Sequence, residues 1–543
     1  MSPRADADPL ITVIVPAYNA AQTLARTLDS IAGQTFHDVE VVVVDDASTD
    51  STRDVAESYS DRVPGFRLIR REDNSGGVGA PRNDGVRAAC GKYVMFLDAD
   101  DQLPEKACEV LVAVAERTGS DITAGRAERV NHARGTRTTW QPDLYTADRY
   151  VAGVREWPEL LTDPIAAAKL FRREFLVGRD IRFPEGLFYE DTFFSVKAYH
   201  LARGISVLTE PVYHWIWEDR QGAGASITNR RNEIRSVSDR IEVHRRADAY
   251  LREAGARDLK IHKDVKFLGH DVRLYMKELR RADDEYRAGF IRLVSGYLAE
   301  VDDESYRRCT PLERVRAFYL RHGMIPEALT VADFEQRRGV VSTDLVIDDG
   351  RVYWSAGHLD LPDARAFLDV TELGLQDEPF ESSRMFNRAL SVEVVGKELR
   401  ISGEILNQFG RIGAGDGLEL VVLTRSKERG RKDVAAIGGT RVDADVIGYA
   451  ATAGLRKLFA GFPAADAVNL QVQLLWKGRR HITAVCVRGI DLAPVNEALR
   501  DRALEAYETA GGNLAFRRCA EGGSPSGPAG WKDRLFRPGR RRA

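Results

Sequence analysis

The chain has 543 residues, 43% of them hydrophobic and 30% charged, which is the composition of a soluble globular protein with about two to four domains. Its formal net charge of -3 creates no overall positive field, so the composition argues against a nucleic-acid-binding protein. The five cysteines show no CxxC spacing, which argues against a disulfide framework or a zinc site and is typical of a reducing cytoplasm.

The two ends of the chain bear on its location. The first residues lack the apolar core of a signal peptide, and no run of about 18 apolar residues indicates a transmembrane helix. We therefore expect a cytoplasmic protein, peripheral at most at the inner face of the membrane. The basic tail, Glu521–Ala543, leaves two interpretations open: a solvated, disordered end, or a segment that contacts an anionic membrane surface.

Residues 10–130 alternate between strand-like and helix-like segments. The pattern predicts strands at Ile11–Val15, Val39–Val44, Phe66–Arg70 and Tyr93–Leu97, and helices at Ala21–Ala32, Ser51–Ser60 and Ala80–Ala89. Strands without polar alternation, separated by helices, indicate a parallel sheet that is covered on both faces. Because ligands bind at the carboxyl ends of such strands, we expect Pro16, Asp45 and Asp98 to converge.

The pattern changes twice further along the chain. Charged helical segments dominate residues 235–335, and from about residue 340 apolar residues alternate with polar ones, as in an antiparallel β-sandwich. The predicted organisation is therefore an α/β domain at 1–232, a helical linker or accessory domain at 233–338, an all-β sandwich domain at 339–495, and a helix with a disordered basic tail at 496–543.

Three carboxylates follow the apolar run that ends at Leu97, namely Asp98, Asp100 and Asp101. Carboxylates at the exit of a strand add little to sheet stability. They are the oxygen ligands that a hard divalent cation prefers, and such a cation can hold a diphosphate. The alternative is an acidic loop without a ligand.

Four motifs in order along the N-terminal domain carry a resemblance to a known family. They are Val13–Asn19, Val44–Asp50, Asn74–Asn83 and Phe96–Asp101. Together they resemble the family 2 inverting glycosyltransferases of the GT-A fold, which is Rossmann-like. The resemblance implies an α/β GT-A catalytic domain that uses a nucleotide-activated sugar.

The resemblance implies a set of donor-binding residues. They are Pro16, Ala17, Tyr18, Asp45, Asn74, Arg82, Asp98, Arg220 and Ser226. Asp45 would accept a hydrogen bond from the N3–H of a uracil base, although a turn or helix-capping role is the alternative. Arg82 would fork onto phosphate oxygens, or else form a surface salt bridge. Arg220 and Ser226 lie in a glycine-rich stretch that would close over the donor.

The resemblance also implies a metal ion and a catalytic base. Asp100 and Asp98 would bind Mn²⁺ or Mg²⁺, with His214 as a third ligand or else a packed histidine. Asp191 matches the position of the catalytic base, and Glu190 would orient or contact the sugar. Asp191 could instead cap the helix that follows, and both roles are compatible.

The overall architecture is similar to that of enzymes that decorate wall teichoic acids and related polyol-phosphate polymers. We therefore expect a UDP-sugar donor, a hydroxyl acceptor on a polymeric or lipid-linked glycan, and a homo-oligomer formed through the C-terminal domain. Three alternatives stay open: an exopolysaccharide or lipid-linked glycan glycosyltransferase, a glycan-binding protein with a degenerate catalytic domain, and a nucleotidyltransferase. The last would usually have a glycine-rich basic loop after its first strand, where this chain has Pro16–Asn19.

Overall fold

The computed structural model describes residues 9–63, 65–217, 229–337, 341–383, 385–426, 430–443, 445–459, 467–509 and 511–518. The chain divides into two compact units, Met1–Leu329 and Thr330–Ala543. Within the described ranges, no helix combines the length and the apolar character needed to cross a membrane.

The N-terminal unit begins with an α/β region built around one sheet. Its elements are β1 Ile11–Ala17, α1 Leu24–Ala32, β2 Val39–Asp45, α2 Thr52–Glu57, β3 Phe66–Arg70, α3 Gly79–Ala88, β4 Tyr93–Phe96, α4 Ala107–Thr118, β5 Ile122–Asn131, β6 Thr136–Thr139, β7 Arg149–Val151, β8 Lys169–Arg172, α5 Arg173–Gly178, α6 Asp191–Leu201 and β9 Ile205–Ile216. The strand order is β3-β2-β1-β4-β8-β5-β9-β7, and β6 pairs with β5.

The predicted parallel arrangement is confirmed for β1 to β4. β1 pairs in parallel with both β2 and β4, and β2 pairs in parallel with β3. Every residue of β1, β2 and β4 is buried, because apolar clusters cover both faces of the sheet. The carboxyl ends of these strands therefore lie along one edge, where the polar motifs of the sequence follow them.

Beyond β4 the sheet becomes mixed, which the strand pattern did not predict. β8 runs antiparallel to both β4 and β5, whereas β9 runs parallel to β5. The backbones of Gln102 and His214 exchange two hydrogen bonds, of 3.1 and 2.9 Å. The end of β9 therefore lies beside the turn that follows β4.

Seven further helices follow in the described part of the chain, and the last of them spans the boundary between the two units. They are α7 Ile234–Glu253, α8 Arg257–Lys266, α9 Val272–Leu279, α10 Asp284–Leu298, α11 Asp303–Arg308, α12 Pro311–Arg321 and α13 Ile325–Arg337, with one π-helical turn at Phe267–Asp271 between α8 and α9. Ala247 and Leu251 of α7 belong to the same apolar cluster as Ile14 and Phe96 of the sheet. The segment predicted as a linker thus shares a core with the α/β region, because its helices carry an apolar face as well as charges.

A C-terminal sheet domain is confirmed, whereas the sandwich packing expected for it stays a prediction. Its elements are β10 Val346–Asp348, β11 Arg351–Tyr353, α14 Ala364–Phe367, β12 Asn387–Val395, β13 Glu398–Leu406, β14 Glu419–Ser426, β15 Gly430–Val442, β16 Val446–Gly454, α15 Leu455–Phe459, β17 Val468–Trp476, β18 Arg479–Cys486, α16 Ala493–Leu499, β19 Leu504–Glu508 and β20 Leu514–Arg518. β14 pairs with both β15 and β17, so the strand order closes on itself. β12 and β18 join in parallel through two residue pairs, whereas the other pairings in this sheet are antiparallel.

One boundary from the sequence needs correction. Residues 496–543 were predicted to be a helix and a disordered tail, but Leu504–Glu508 and Leu514–Arg518 form a hairpin whose second strand pairs with β17. Leu514 and Phe516 are fully buried in the core of this domain, so their burial supports the hairpin despite the polar residues around them. The basic tail from residue 519 onward lies outside the described residues.

Candidate active site

The loops that follow β1 and β2 are joined by hydrogen bonds at one edge of the sheet. The Asp46 amide donates to the carbonyl of Ala17 over 2.8 Å, and the Thr49 amide donates to Asn19 Oδ1 over 2.8 Å. Asn19 adopts a left-handed backbone with φ 48°, which asparagine tolerates better than most residues. The expected convergence of these loops is therefore present, and it leaves the Tyr18 side chain half exposed at the edge.

Arg82, near the start of α3, holds three carboxylates together. Its Nη1 donates to Glu190 Oε1 at 2.6 Å and to Asp191 Oδ1 at 2.5 Å, and its Nη2 donates to Asp98 Oδ1 at 2.8 Å. Burial alone would lower the pKa of the guanidinium, but the surrounding negative charges raise it above its usual value. The sequence predicted a phosphate contact for Arg82; in this structure its partners are the acidic residues of the site.

Glu190 and Asp191 form a pair of carboxyl groups with raised pKa values. Burial raises the pKa of both, the charge of Asp191 raises that of Glu190 further, and Arg82 partly offsets the rise. Because the two groups interact strongly, they titrate as a pair that retains a proton at higher pH than a free carboxylate. The Asp191 side chain is 20% exposed and that of Glu190 only 5%, so Asp191 is the member that a substrate can reach.

The backbone of Ala166 fixes the second oxygen of the Asp191 carboxylate. Its amide donates to Asp191 Oδ2 over 3.1 Å. The segment that carries Ala166 is held by Lys169, whose ammonium donates to the carbonyl of Ile165 at 2.5 Å and to Asp163 Oδ2 at 2.9 Å. Asp163 and Lys169 are almost fully buried, so this ion pair is shielded from solvent. Asp191 thus has a defined orientation, which a positioned base requires.

The residues predicted to bind the donor base lie at the ends of β1 and β2. Pro16 and Ala17 are buried in β1, and Tyr18 follows them. Asp45 is fully buried; its carboxylate accepts from the Ser48 amide at 3.3 Å and from Nε of Arg53. These contacts match the turn alternative for Asp45, and its contact with a uracil base stays a prediction.

Asp46 supports the next loop, at residues 74–77. Its carboxylate accepts from Ser75 Oγ at 2.8 Å and from Asn74 Nδ2 at 3.1 Å, and it lies 2.8 Å from Nε of Arg71. Asn74 Oδ1 in turn accepts from the Gly76 amide at 2.9 Å. The predicted donor residue Asn74 therefore lies at the same edge as Tyr18, in a loop that Asp46 holds.

Replacing Asp46 by alanine is expected to destabilise the protein by about 2 kcal/mol or more, because it removes several hydrogen bonds to a buried carboxylate and leaves Arg71 without this charge. Asp50→Ala is the matched control, since Asp50 is an exposed aspartate of the same loop whose carboxylate accepts from the Thr52 amide at the start of α2. The two variants are compared by denaturant unfolding. Equal losses of unfolding free energy in the two variants would contradict the supporting role given to Asp46.

The glycines at the start of α3 allow a close approach of another loop. A Cβ at Gly77 would lie 2.8 Å from the carbonyl oxygen of Leu187, and one at Gly79 would lie 2.4 Å from that of Pro184. The sequence predicted a phosphate or sugar loop here. These two glycines instead let the loop that leads to Glu190 pack directly on the loop that leads to Arg82.

The predicted metal ligands lie around the turn that follows β4. The Asp98 side chain is 38% exposed, and Asp100 is exposed. The His214 imidazole lies 3.7 Å from Glu128, and burial followed by the charge of Arg137 lowers its pKa, which favours the neutral, metal-binding form. The carboxylate oxygens of Asp98 and Asp100, on one turn, are the kind of ligand atom that Mn²⁺ or Mg²⁺ prefers. In the described part of the chain, no group of three or more acidic, histidine or cysteine side chains is assembled to hold a metal.

Asp101 has a structural role at this turn. It is almost fully buried, and its carboxyl group contacts the hydroxyl of Tyr213 at 2.6 Å and the amide of Ile216 at 2.7 Å. Burial and then the charges of Asp100 and Asp98 raise its pKa well above the usual value. Asp101 therefore joins the turn that follows β4 to β9 by hydrogen bonds.

Several residues of the site were not identified from the sequence. Arg53 and Asp163 support candidate residues from neighbouring elements, and only their spatial neighbours reveal this. Lys169 was part of a segment expected to support the acceptor face, but its burial and its pairing with Asp163 are seen only in the folded chain. The predicted donor residues Arg220 and Ser226 lie outside the described residues.

Comparisons with known proteins show similarity to glycosyltransferases. The family model described as "Glycosyl transferase family 2" matches residues 12–178. A poly(ribitol-phosphate) beta-glucosyltransferase of Bacillus spizizenii is 28% identical over 58% of this chain and 48% of its own length. A poly(ribitol-phosphate) beta-N-acetylglucosaminyltransferase, TarS of Staphylococcus aureus, is 34% identical over 38% of this chain and 35% of its own. The alignments thus span about half of these relatives or less.

A solved structure supports the fold of the N-terminal part. Residues 1–349 of S. aureus TarS, in complex with UDP-GlcNAc, are similar to this chain with a TM-score of 0.51 and 24% sequence identity. The similarity covers 63% of this chain and 96% of that one. It corresponds to the GT-A-like sheet and the helices that follow it.

Proposed function

We propose that the chain, whose residues 12–178 match the model of glycosyl transferase family 2, transfers a sugar from a UDP-sugar to a hydroxyl group of a cell-surface polymer, with inversion and with a divalent metal ion. The observation that carries the proposal is the partly exposed Asp191 carboxylate, which is oriented by Arg82 and by the Ala166 amide. The names of two relatives support a poly(ribitol-phosphate) acceptor, and the UDP-GlcNAc complex of one of them, S. aureus TarS, supports a uridine donor.

The reaction proposed is a single displacement. Asp191 takes the proton of the acceptor hydroxyl as its oxygen attacks the anomeric carbon, and the bond from that carbon to the nucleotide diphosphate breaks. Arg82 keeps the carboxylate in place, since it cannot lose its own charge at physiological pH. The raised pKa values of the Glu190–Asp191 pair place the change from the protonated, inactive form to the active base closer to neutral pH.

The donor is expected to bind along the edge where β1 and β2 end. Tyr18 offers an exposed aromatic face for the uracil ring, and the loop at Asn74 lies at the same edge. A divalent cation held by Asp98 and Asp100, with His214 as a further candidate, would supply Lewis-acid stabilisation of the departing diphosphate. Glu190 stays a candidate for orienting or contacting the sugar.

A thermal-shift measurement tests the donor class. The melting temperature of the chain is measured with UDP, UDP-glucose and UDP-GlcNAc, each with and without Mn²⁺, because a ligand that binds the folded state raises it. GDP and GDP-mannose are the matched controls. A Mn²⁺-dependent rise with uridine nucleotides alone is expected. Equal shifts for guanosine nucleotides, or no shift with any, would overturn the donor assignment.

Transfer itself is tested with poly(ribitol-phosphate) and each labelled UDP-sugar that binds. Labelled polymer is the expected product. Donor binding without transfer to this polymer, together with transfer to another glycan, would overturn the acceptor class and leave the donor class intact. The donor sugars are α-linked, so the anomeric configuration of the polymer product is determined by NMR. The expected β-linkage would support inversion, whereas an α-linkage would contradict it.

Asp100→Ala is expected to remove the Mn²⁺-dependent part of the UDP thermal shift while leaving the fold intact, because the side chain is exposed. Asp284→Ala is the matched control, since Asp284 is an exposed aspartate at the start of a helix far along the same unit. The variants are compared by titrating Mn²⁺ at fixed UDP. An unchanged Mn²⁺ dependence in Asp100→Ala would exclude Asp100 as a ligand.

A further inference from the structure

Tyr189 has an unfavourable backbone conformation directly before the Glu190–Asp191 pair. Its φ is 63°, in the left-handed region, and it is not glycine. For a residue with a Cβ this conformation costs on the order of 1 kcal/mol and persists only where the surroundings enforce it. A change at Tyr189 would redirect the next two residues, so whatever holds Tyr189 also sets where Asp191 lies.

Two residues of α7 hold the Tyr189 side chain. The Arg240 guanidinium carbon lies 3.6 Å from the centre of the Tyr189 ring, and the Tyr189 hydroxyl is 2.7 Å from Ser236 Oγ. A planar guanidinium stacked on an aromatic ring is a favourable contact, and it is stronger when the cation is shielded from water. Arg240 is buried here. Ser236 and Arg240 lie four residues apart, so they share one face of the helix.

A buried set of charges fixes Arg240 in turn. Its Nη1 donates to Asp271 Oδ1 at 3.1 Å, and its Nε donates to the hydroxyl of Tyr275 at 3.0 Å. Asp271 ends the π-helical turn between α8 and α9, is fully buried, and accepts two further hydrogen bonds of 2.8 Å from Lys266. Such turns interrupt helices at a stability cost and are frequent near functional sites.

The same face of α7 contacts the loop before Tyr189 at two further points. Asp239 Oδ2 accepts from the amide of Phe188 at 3.2 Å. Nη2 of Arg235 donates to the carbonyl of Gly186 at 3.1 Å and to that of Gly76 at 2.9 Å. The first two turns of α7 therefore hold the loop that leads to the candidate base from several sides.

We propose that Arg240 is a positioning residue for the reaction: stacked on Tyr189 and anchored by Asp271, it keeps the backbone at residue 189 in the conformation that places Asp191 against Arg82 and the acceptor. The proposal rests on the proposed function, in which Asp191 is the base. Displacing a reacting group by about 1 Å can lower a rate on the order of 100-fold, so loss of this contact should act on catalysis at a distance.

The test compares Arg240→Leu, Arg240→Lys and the control Tyr297→Phe. Tyr297 belongs to the same buried helical region, where its hydroxyl contacts Lys263 at 2.7 Å and Asp248 at 2.9 Å, and it makes no described contact with Tyr189. Arg240→Leu should lower kcat by roughly 10- to 100-fold with the donor KM within about twofold of wild type. Arg240→Lys restores a charge beside Asp271 but not the stacked plane, so it should regain melting temperature while kcat stays low.

Tyr297→Phe should lower the melting temperature and leave kcat per folded molecule unchanged. The proposal is overturned if Arg240→Leu behaves like this control, or if Arg240→Lys regains kcat in proportion to its stability. If Arg240→Leu does not fold, Arg240→Lys against Tyr297→Phe decides the question by the same criteria.

Hydrogen exchange separates this proposal from the proposed function, because it needs no substrate. Amides of residues 186–192 should exchange faster in the Arg240 variants than in wild type, and should not change in Tyr297→Phe. Unchanged exchange there would overturn the positioning role. If the variants show the expected exchange differences but the wild-type chain transfers no sugar, the proposed function is overturned and the positioning of residues 186–192 by Arg240 is not.

Discussion

Asp191→Asn is expected to lower kcat by about 1,000-fold or more while leaving UDP binding intact, because the amide cannot accept the proton of the acceptor hydroxyl. Arg82 would keep Glu190 and Asp98 as partners, so the variant should fold normally. Transfer to polymer and the UDP thermal shift are measured on the same preparation.

Glu190→Gln is the matched comparison, since it changes the neighbouring and less exposed carboxylate. The charge of Asp191 raises the pKa of Glu190, so Glu190 keeps its proton while Asp191 ionises. The neutral amide of Glu190→Gln should therefore leave the acid limb of the kcat profile close to its wild-type position, with activity retained. If Glu190→Gln abolished transfer and Asp191→Asn did not, the two roles would be reversed.

Arg82→Met is expected to have the largest effect on both stability and activity. It removes the one guanidinium that the three carboxylates share, and breaking a buried pair of this kind costs on the order of 3–5 kcal/mol. Arg82 lowers the pKa of both Glu190 and Asp191, so its removal raises these values further. The acid limb of any residual activity should therefore move to higher pH.

The stability loss of Arg82→Met has a defined pH dependence. Below about pH 4 the carboxyl groups are protonated in the unfolded chain as well, so variant and wild type should differ least. As pH rises through the raised pKa values, ionisation without the cation becomes unfavourable in the folded state, and the difference should grow. Denaturant unfolding at pH 4 and pH 8 measures it, with Arg62→Met as an exposed control. A loss independent of pH would show that packing, and not charge, explains the effect.

The sequence predicted most reliably what depends on local pattern. The unbroken apolar runs of β1, β2 and β4 indicated buried parallel strands, and the polar residues after them lie at one edge, as expected. β8 was harder to predict, because its four residues carry a lysine whose partner, Asp163, is found only in the folded chain. The hairpin β19–β20 was missed since its short strands gain their stability from β17.

Contacts between distant residues limited the prediction of the site. Arg82 and Asp191 were both selected from motifs, but the ion pair between them spans 109 positions and leaves no local pattern. The same holds for Arg240, which was read only as part of a charged helix and contacts Tyr189 across the fold. Charged residues on a helix usually face water, so burial of Arg240 could not be inferred from spacing alone.

The contact of Gly77 and Gly79 with the carbonyls of Leu187 and Pro184 also limits how sugar preference can evolve. A side chain at either glycine would push apart the loop of Arg82 and the loop of the candidate base, so a change meant to admit a new donor there would disable the chemistry at the same time. Directed evolution toward other sugars should therefore conserve both glycines and accumulate substitutions elsewhere.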